Sequence, residues 1–295
     1  MTTPAPYRIG IDIGGTKTEV VLLDPDGHPL LRERAATPRQ ETGAYEAIVN
    51  NTVRMATHAL ARTPGQKSTI GICIPGIIDA ATGRVINANA TSLIGNTFQQ
   101  DIARQLGRAV AMENDADCFT LAESLLGAGQ GYDMVFGIIL GTGVGGGLCF
   151  NGQVFRGRHG IAGEWGHMAV MPDGQPCFCG NRGCVETLIS GTGVAAAYQR
   201  TCGRQLSTEA IVAGARQGNP DCREVFDRFL DDFGRCVGGI ISLLDPDAIV
   251  LGGGLSNIDE LYSEGAIMAR RYAFHPDPQT PLLKNKLGDS AGVYG

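Results

Sequence analysis

Four side chains of types that bind metal ions lie within eighteen positions of the chain: His167, Cys177, Cys179 and Cys184. One imidazole and three thiolates form a closed, tetrahedral ligand set for a structural Zn²⁺ ion. The alternative is four unpaired side chains in a loop, but neither disulfides nor burial explains three cysteines within eight residues. The spacing therefore predicts a zinc-fixed loop over residues 164–186, which presents the carboxylates of Glu164 and Glu186.

Two glycine-rich turns offer a second kind of chemistry. The first turn, residues 14–17, interrupts an apolar run over residues 9–23, and the second turn, residues 141–143, interrupts another over residues 135–150. Glycine admits backbone conformations closed to other residues, so amide N–H groups can approach an anion there. Each turn is therefore either a phosphate cradle or a plain hairpin turn, and the repeated module predicts an internal duplication. Further glycine turns follow apolar runs at Gly76 and at residues 252–254, and the four turns could line one cleft with amides.

A carboxylate stands at a predicted junction between a strand and a helix. Asp115 follows the short apolar run 109–112 and precedes a helical pattern over residues 116–126. It is either a helix N-cap or a functional carboxylate at the carboxyl end of a strand, where open α/β sheets bind their ligands. The amides and hydroxyls of residues 87–92 suit either a polyhydroxylated ligand or a solvated loop.

The elements that must position these groups alternate between strands and helices, which predicts an α/β fold. With 295 residues, of which 43% are hydrophobic, the chain is long enough for two domains. Helical spacing of apolar residues predicts helices over residues 42–61, 97–106, 116–126, 193–201, 207–217 and 221–244.

Composition excludes several classes of protein. The net charge of −6 and the absence of Lys/Arg runs argue against a nucleic-acid or anionic-membrane surface. The longest uncharged and mainly apolar run, residues 134–150, ends before Asn151 and is shorter than the roughly 20 apolar residues of a membrane helix. The N-terminus shows no secretory signal, which predicts a cytoplasmic protein whose other six cysteines are small buried hydrophobes.

Six motifs in chain order carry a family resemblance: Asp12-Ile-Gly-Gly-Thr-Lys17, Glu113-Asn-Asp-Ala-Asp117, Gly141-Thr-Gly-Val-Gly-Gly-Gly147, Gly163-Glu-Trp-Gly-His167, Cys177-Phe-Cys-Gly-Asn-Arg-Gly-Cys184-Val-Glu186 and Leu251-Gly-Gly-Gly254. Together they resemble the ROK family of bacterial sugar kinases, within the actin and hexokinase superfamily, over nearly the whole chain. The resemblance implies two actin/hexokinase-like (ribonuclease H-like) α/β domains around an interdomain cleft, with ATP and sugar meeting in the cleft, a structural zinc loop and a homodimer. The expected domains are residues 1–116, onto which residues 285–295 pack back, and residues 117–284.

The resemblance also implies roles for individual residues. Asp115 matches the catalytic base, which accepts the proton of a sugar hydroxyl as that hydroxyl attacks the γ-phosphoryl group of ATP. Mg²⁺ is expected on the nucleotide, with Asp12 either its carboxylate ligand or a ligand to a bound water. His167 is expected to bind zinc through one ring nitrogen and a sugar hydroxyl through the other. The expected sugar-contacting set is Gly76, Asn89, Asn114, Asp115, Glu164, His167 and Glu186. The expected nucleotide-contacting set is Asp12, Gly14, Gly15, Thr16, Lys17, Gly141, Thr142, Gly143, Gly252, Gly253 and Gly254.

Within the family, residues 87–91 and 161–167 look most like the fructokinase and mannokinase branch, although Ser92 stands where that branch tends to carry Trp. The expected activity is phosphorylation of the 6-hydroxyl of a hexose, with fructose first and mannose or glucose also possible substrates. The alternative is an N-acetylglucosamine or N-acetylmannosamine kinase. A sugar-responsive transcriptional regulator is the distant alternative, because only six residues precede the first predicted strand, too few for a helix-turn-helix.

Overall fold

The computed structural model of the chain describes residues 6–39, 42–79, 81–88 and 90–295, apart from the side chains of residues 289 and 290. The chain divides into two compact units. Unit 1 comprises Met1–Ala122, Arg156–Ile161 and Ser290–Gly295, and unit 2 comprises Glu123–Phe155 and Ala162–Asp289. No helix in the described ranges is long and apolar enough to cross a membrane.

Unit 1 is built on a five-stranded mixed sheet. The sheet contains β1 (Tyr7–Ile13), β2 (Lys17–Leu23), β3 (Pro29–Ala36), β4 (Ser68–Ile74) and β7 (Ala111–Asn114), while β5 (Ile77–Ile78) and β6 (Val85–Ile86) form a separate short hairpin. The sheet order is β3-β2-β1-β4-β7, with β1, β4 and β7 parallel and β2 antiparallel to both β1 and β3. The carboxyl ends of the three parallel strands therefore meet at one edge of the sheet.

Helices α1 (Ala44–Leu60) and α2 (Phe98–Leu106) lie in unit 1, and α3 (Asp115–Leu126) begins there. Alternate residues of β1 are buried, and they pack in one core with the buried stripe of α1, which includes Ile48 and Met55. The end of the chain also belongs to this unit, where Val293 packs against Val21 and Leu23.

Unit 2 contains a second five-stranded sheet. Its elements are β8 (Met134–Leu140), β9 (Val144–Phe150), β10 (Gln153–Val154), α4 (Val185–Ile189), α5 (Gly191–Cys202), α6 (Thr208–Arg216), α7 (Pro220–Leu244), β11 (Ala248–Gly252), α8 (Glu264–Tyr272) and β12 (Leu282–Lys284). The order is β10-β9-β8-β11-β12, with an antiparallel β8–β9–β10 meander and parallel β8, β11 and β12. Order and strand directions repeat those of unit 1, as expected of an internal duplication.

The long helix α7 organises the core of unit 2. Asn219 caps its start by accepting a hydrogen bond from the Cys222 amide at 3.0 Å, and Pro220 occupies the first turn, where its missing N–H costs nothing. Asp245 ends the helix in the left-handed conformation. The buried face, which includes Phe226 and Phe233, packs with β8 and β11. The predicted α/β fold with two sheets is confirmed.

Candidate active site

The first turn joins β1 to β2 in unit 1, and its three successive carbonyl groups are held by one segment of chain. The Thr37 hydroxyl donates to the Gly14 carbonyl at 2.7 Å, and the Thr37 amide donates to the Thr16 carbonyl at 3.0 Å. Between them, Arg39 Nε donates to the Gly15 carbonyl. The segment that follows β3 therefore fixes the orientation of the turn.

The glycines of the first turn do not adopt a left-handed backbone conformation, although the sequence predicted conformations closed to other residues. Neither Gly14 nor Gly15 has a positive φ. A Cβ on Gly15 would meet only Arg39 Nη2 at 3.6 Å, which is ordinary contact, whereas one on Gly14 would lie 3.0 Å from the Lys17 carbonyl oxygen. The protein itself would thus accommodate a side chain at residue 15, and the space beside that residue lies open.

Asp12 is near the end of β1, just before the first turn. Burial raises the pKa of its carboxyl group, and a hydrogen bond from the Cys73 thiol and the charge of Lys17 oppose that rise. A buried carboxylate with little compensating positive charge gains most from a cation. Carboxylate, phosphate and water oxygens are the ligands that Mg²⁺ prefers, so Asp12 fits its expected place beside a nucleotide-bound ion.

Asp115 is the first residue of α3 and directly follows β7. Its neighbour Asn114 takes the capping role, because the Asn114 Oδ1 accepts from the amides of Ala116 at 2.8 Å and Asp117 at 3.4 Å. Asp115 Oδ1 also accepts from the Ala116 amide, at 2.9 Å. The Asp115 carboxylate therefore lies at the positive end of a helix dipole, where negative charge is stabilised.

Asn114 also links two strand ends of unit 1. Its Nδ2 donates to the Gly76 carbonyl at 3.1 Å, just after β4. Gly76 lies against the segment that follows β6, since a Cβ there would come 2.7 Å from the Ala88 Cβ. The structure thus brings Gly76, Asn114 and Asp115 together, whereas Asn89 lies outside the described residues.

The second turn joins β8 to β9 in unit 2 and is held by the start of α5. The Gly191 amide donates to the Gly141 carbonyl at 2.8 Å, and the Thr192 hydroxyl donates to the Thr142 carbonyl at 2.8 Å. These two contacts leave the Thr142 and Gly143 amides on the other side of their peptide planes.

Glu186, at the start of α4, lies beneath the second turn. Its Oε2 accepts from the Val144 amide at 2.9 Å, and a Cβ on Gly143 would lie only 2.4 Å from that oxygen. Burial raises the pKa of the Glu164 carboxyl group, the Glu186 charge adds to the rise, and His167 opposes it. The three expected sugar-contacting residues of unit 2 are therefore electrostatic neighbours.

Three of the four predicted zinc ligands, His167, Cys177 and Cys179, offer donor atoms within 4.8 Å of one another, and the fourth, Cys184, lies beside Cys179. Cys177 Sγ is 3.6 Å from His167 Nδ1, and Cys179 Sγ is 3.6 Å from Cys184 Sγ. A tetrahedral ion with the usual bond lengths requires about 3.6 Å between sulfur and nitrogen and about 3.8 Å between two sulfurs. Both separations fit Zn²⁺, and a metal bound through Nδ1 leaves Nε2 of His167 for another partner.

The glycine turn after β11 depends on glycine for its own geometry. Gly253 has φ 78°, and a Cβ there would lie 2.4 Å from the Leu140 carbonyl oxygen, at the end of β8. Since β8 and β11 are parallel neighbours, residues 252–254 and the second turn lie at the same edge of the unit 2 sheet. In unit 1, the first turn, Gly76 and Asp115 likewise share one edge.

The motifs did not reveal Thr37, Arg39 or Thr192, whose contacts with the turns span 23, 24 and 50 positions.

The ROK family model matches residues 8–295 of the chain. Among curated proteins, N-acetylgalactosamine kinase AgaK of Shewanella sp. (strain ANA-3) is 35% identical over 294 residues, covering 97% of this chain and 94% of the relative. The N-acetyl-D-glucosamine kinase of Pasteurella multocida (strain Pm70) is 38% identical over 300 residues, covering 98% and 97%. Both relatives are named as kinases of an N-acetylhexosamine.

Among solved structures, a ROK family glucokinase from Streptomyces griseus, in complex with glucose and AMPPNP, superimposes with a TM-score of 0.78. It is 31% identical, and the match covers 98% of this chain and 97% of that one.

Proposed function

Since the chain belongs to the ROK family, we propose that it is an ATP-dependent kinase for the 6-hydroxyl of an N-acetylhexosamine, with N-acetylglucosamine its preferred substrate. The predicted enzyme class, a phosphotransferase with an alcohol group as acceptor, is confirmed by the kinases among its relatives. The names of the two curated relatives favour the N-acetylhexosamine alternative over fructose, which the sequence placed first.

The observation that carries the proposal is the position of Asp115, at the strand end between the Gly76 loop and the start of α3. The sugar 6-hydroxyl oxygen attacks the γ-phosphorus of ATP, and the bond from that phosphorus to the bridging oxygen of ADP breaks. The hydroxyl proton passes to the Asp115 carboxylate. A carboxylate is a weak base, so it orients the hydroxyl and accepts its proton late, and positioning supplies most of the acceleration.

In unit 2, Glu164, Glu186 and Nε2 of His167 are proposed to bind sugar hydroxyls. Zn²⁺ held by His167 and the three cysteines would fix the loop that carries them, and one zinc per chain is expected from metal analysis. Mg²⁺, when bound with the nucleotide, neutralises phosphate charge. The homodimer implied by the resemblance and the predicted cytoplasmic location complete the proposal.

A substrate panel tests the choice of sugar. ADP release with Mg-ATP is measured for N-acetylglucosamine, N-acetylgalactosamine, N-acetylmannosamine, glucose, mannose and fructose. The expected result is the highest kcat/KM with N-acetylglucosamine. A higher value with fructose would overturn the proposed substrate and restore the one predicted from the motifs.

A further inference from the structure

The first turn is held by contacts that determine where its amide groups point. The carbonyls of Gly14, Gly15 and Thr16 all accept hydrogen bonds from the segment that contains Thr37 and Arg39. In a planar trans peptide, the N–H group points opposite to the carbonyl of the preceding residue. None of the described peptide bonds is cis.

Three consecutive N–H groups must therefore point away from this segment. They belong to Gly15, Thr16 and Lys17, and they lie on the face of the turn that Thr37 and Arg39 leave open. Successive N–H groups on one face form an anion-binding concavity. Neither the backbone conformation nor a close neighbour requires glycine at residue 15. The space that a side chain would fill there is therefore available to a ligand.

The Thr37 hydroxyl has a defined polarity. It carries one proton, which it donates to the Gly14 carbonyl at 2.7 Å. The Thr18 hydroxyl, 3.0 Å away, must therefore donate to Thr37. Thr37 and Thr18 are both buried, so this chain of two hydroxyls is shielded from water and holds the Gly14 carbonyl in place.

Arg39 adds charge to the same construction. Its Nε is used by the Gly15 carbonyl, while Nη2 lies beside the open position at Gly15. Arginine stays charged at all relevant pH values and presents its donors in a fixed fork that suits phosphate. The guanidinium group is exposed, so it can meet an anion from solution.

We propose that Thr37 and Arg39 are positioning residues for the nucleotide: they hold the first turn so that its amides face a phosphate group of ATP, and Arg39 adds a positive charge beside that phosphate. The proposal deepens the kinase function and rests on it for the identity of the anion. It assigns phosphate binding to two residues that lie outside the glycine motif.

The test compares Arg39→Ala, Arg39→Lys, Thr37→Val and Thr37→Ser with Arg108→Ala as the matched control. Arg108 makes the same kind of bond, from Nη2 to the Ser68 carbonyl at 3.1 Å, but at the amino end of β4. Binding of AMPPNP is measured by calorimetry without sugar, and KM for ATP, KM for sugar and kcat are measured for each variant. Calorimetry keeps the result independent of whether the proposed sugar is correct.

Arg39→Ala should weaken AMPPNP binding and raise KM for ATP about tenfold, the effect of one charge-assisted hydrogen bond, while KM for sugar stays within about twofold. Thr37→Val should act in the same direction, and Thr37→Ser should restore most of the affinity. Arg39→Lys keeps the charge without the fork, so it should restore only part of the affinity. Arg108→Ala should leave the affinity for AMPPNP unchanged. AMPPNP binding within about twofold of the parent in both Arg39→Ala and Thr37→Val would overturn the proposal, as would an equal loss in the Arg108→Ala control.

Discussion

The first turn and the second turn occupy equivalent places in two sheets of the same order, and their supports are alike. In unit 1 the Thr18 and Thr37 hydroxyls are 3.0 Å apart, and Thr37 donates to the turn. In unit 2 the Ser190 and Thr192 hydroxyls are 3.0 Å apart, and Thr192 donates to the turn. A pair of hydroxyl groups thus holds a turn carbonyl in each unit, although the supporting segment follows a strand in one and begins a helix in the other.

The charges around the two turns differ. The first turn follows Asp12 and is flanked by Lys17 and Arg39, whereas Ile139 stands in the second unit at the position equivalent to Asp12. The second turn rests on the Glu186 carboxylate. One construction therefore holds both turns, with a division in charge: cationic side chains lie at the first turn, and a carboxylate supports the second.

The largest test of this division is a pair of carboxylate replacements, one in each unit. Asp115→Asn should lower kcat by about 10²–10⁴-fold, because it removes the proton acceptor, while sugar affinity persists. Glu164→Gln should instead raise KM for sugar and change kcat less. Steady-state kinetics and calorimetric sugar titration measure both, and near-native turnover in Asp115→Asn would remove Asp115 from its role.

The next largest effect is expected from metal removal, which should loosen the second turn and not the first. Cys184 lies two residues before Glu186, which holds the Val144 amide, so chelation of Zn²⁺ should loosen the second turn and leave the first intact. Hydrogen exchange should then become faster in peptides containing Val144 and stay unchanged in peptides containing Val20. Added Zn²⁺ should reverse the change, and equal acceleration in both peptides would contradict the division.

Replacing glycine by alanine should change the free energy of unfolding in opposite directions at the two turns. Gly143→Ala places a Cβ against the Glu186 carboxylate, so the Val144 amide loses its partner and the free energy of unfolding falls by about 1–3 kcal/mol. Gly15→Ala meets no close atom and should raise the free energy of unfolding by about 0.4–1 kcal/mol while weakening ATP binding. Urea denaturation measures both, and a destabilised Gly15→Ala would show that the turn itself needs this glycine.

The smallest effect concerns the pH dependence of stability. Burial raises the pKa of Asp12 above its ordinary 3.8, so the folded state holds the proton more tightly and loses stability as pH rises from 3.8 through the raised pKa. Asp12→Asn should therefore match the parent near pH 3.5 and gain relative stability above it, as followed by urea midpoints.

Asp101 is the control of opposite sign for this measurement. The Tyr45 hydroxyl lowers the pKa of Asp101, so that carboxylate stabilises the fold above pH 3.8 and loses this effect as pH falls through the lowered pKa. Asp101→Asn should be less stable than the parent at neutral pH and approach it in acid. If both variants shifted in the same direction, the two pKa assignments would be wrong.

Local patterns in the sequence predicted much of this arrangement. The apolar runs around the first turn and the second turn formed hairpins, and a helix follows β7 directly at Asp115. The helix predicted over residues 221–244 is α7, Pro220–Leu244, because its apolar spacing and its Asn219 cap lie in one continuous stretch.

The parts that the sequence did not reveal depend on distant contacts. β3 was missed because its centre, Arg32-Glu33-Arg34, is continuously charged, yet both arginines pair with the buried Glu19 on β2. Helix α8 also escaped notice. Thr37 and Arg39 belong to no motif, and only pairing of β3 with β2 brings them to the first turn.

Asn114 connects the start of α3 to the loop after β4 through two different atoms of one side chain. Its oxygen supports the helix that carries Asp115, and its amide nitrogen holds the Gly76 loop. An aspartate in its place would keep the oxygen that caps α3 and lose the donor to the Gly76 carbonyl. A single substitution could thus release the loop after β4 while the start of the helix stayed intact.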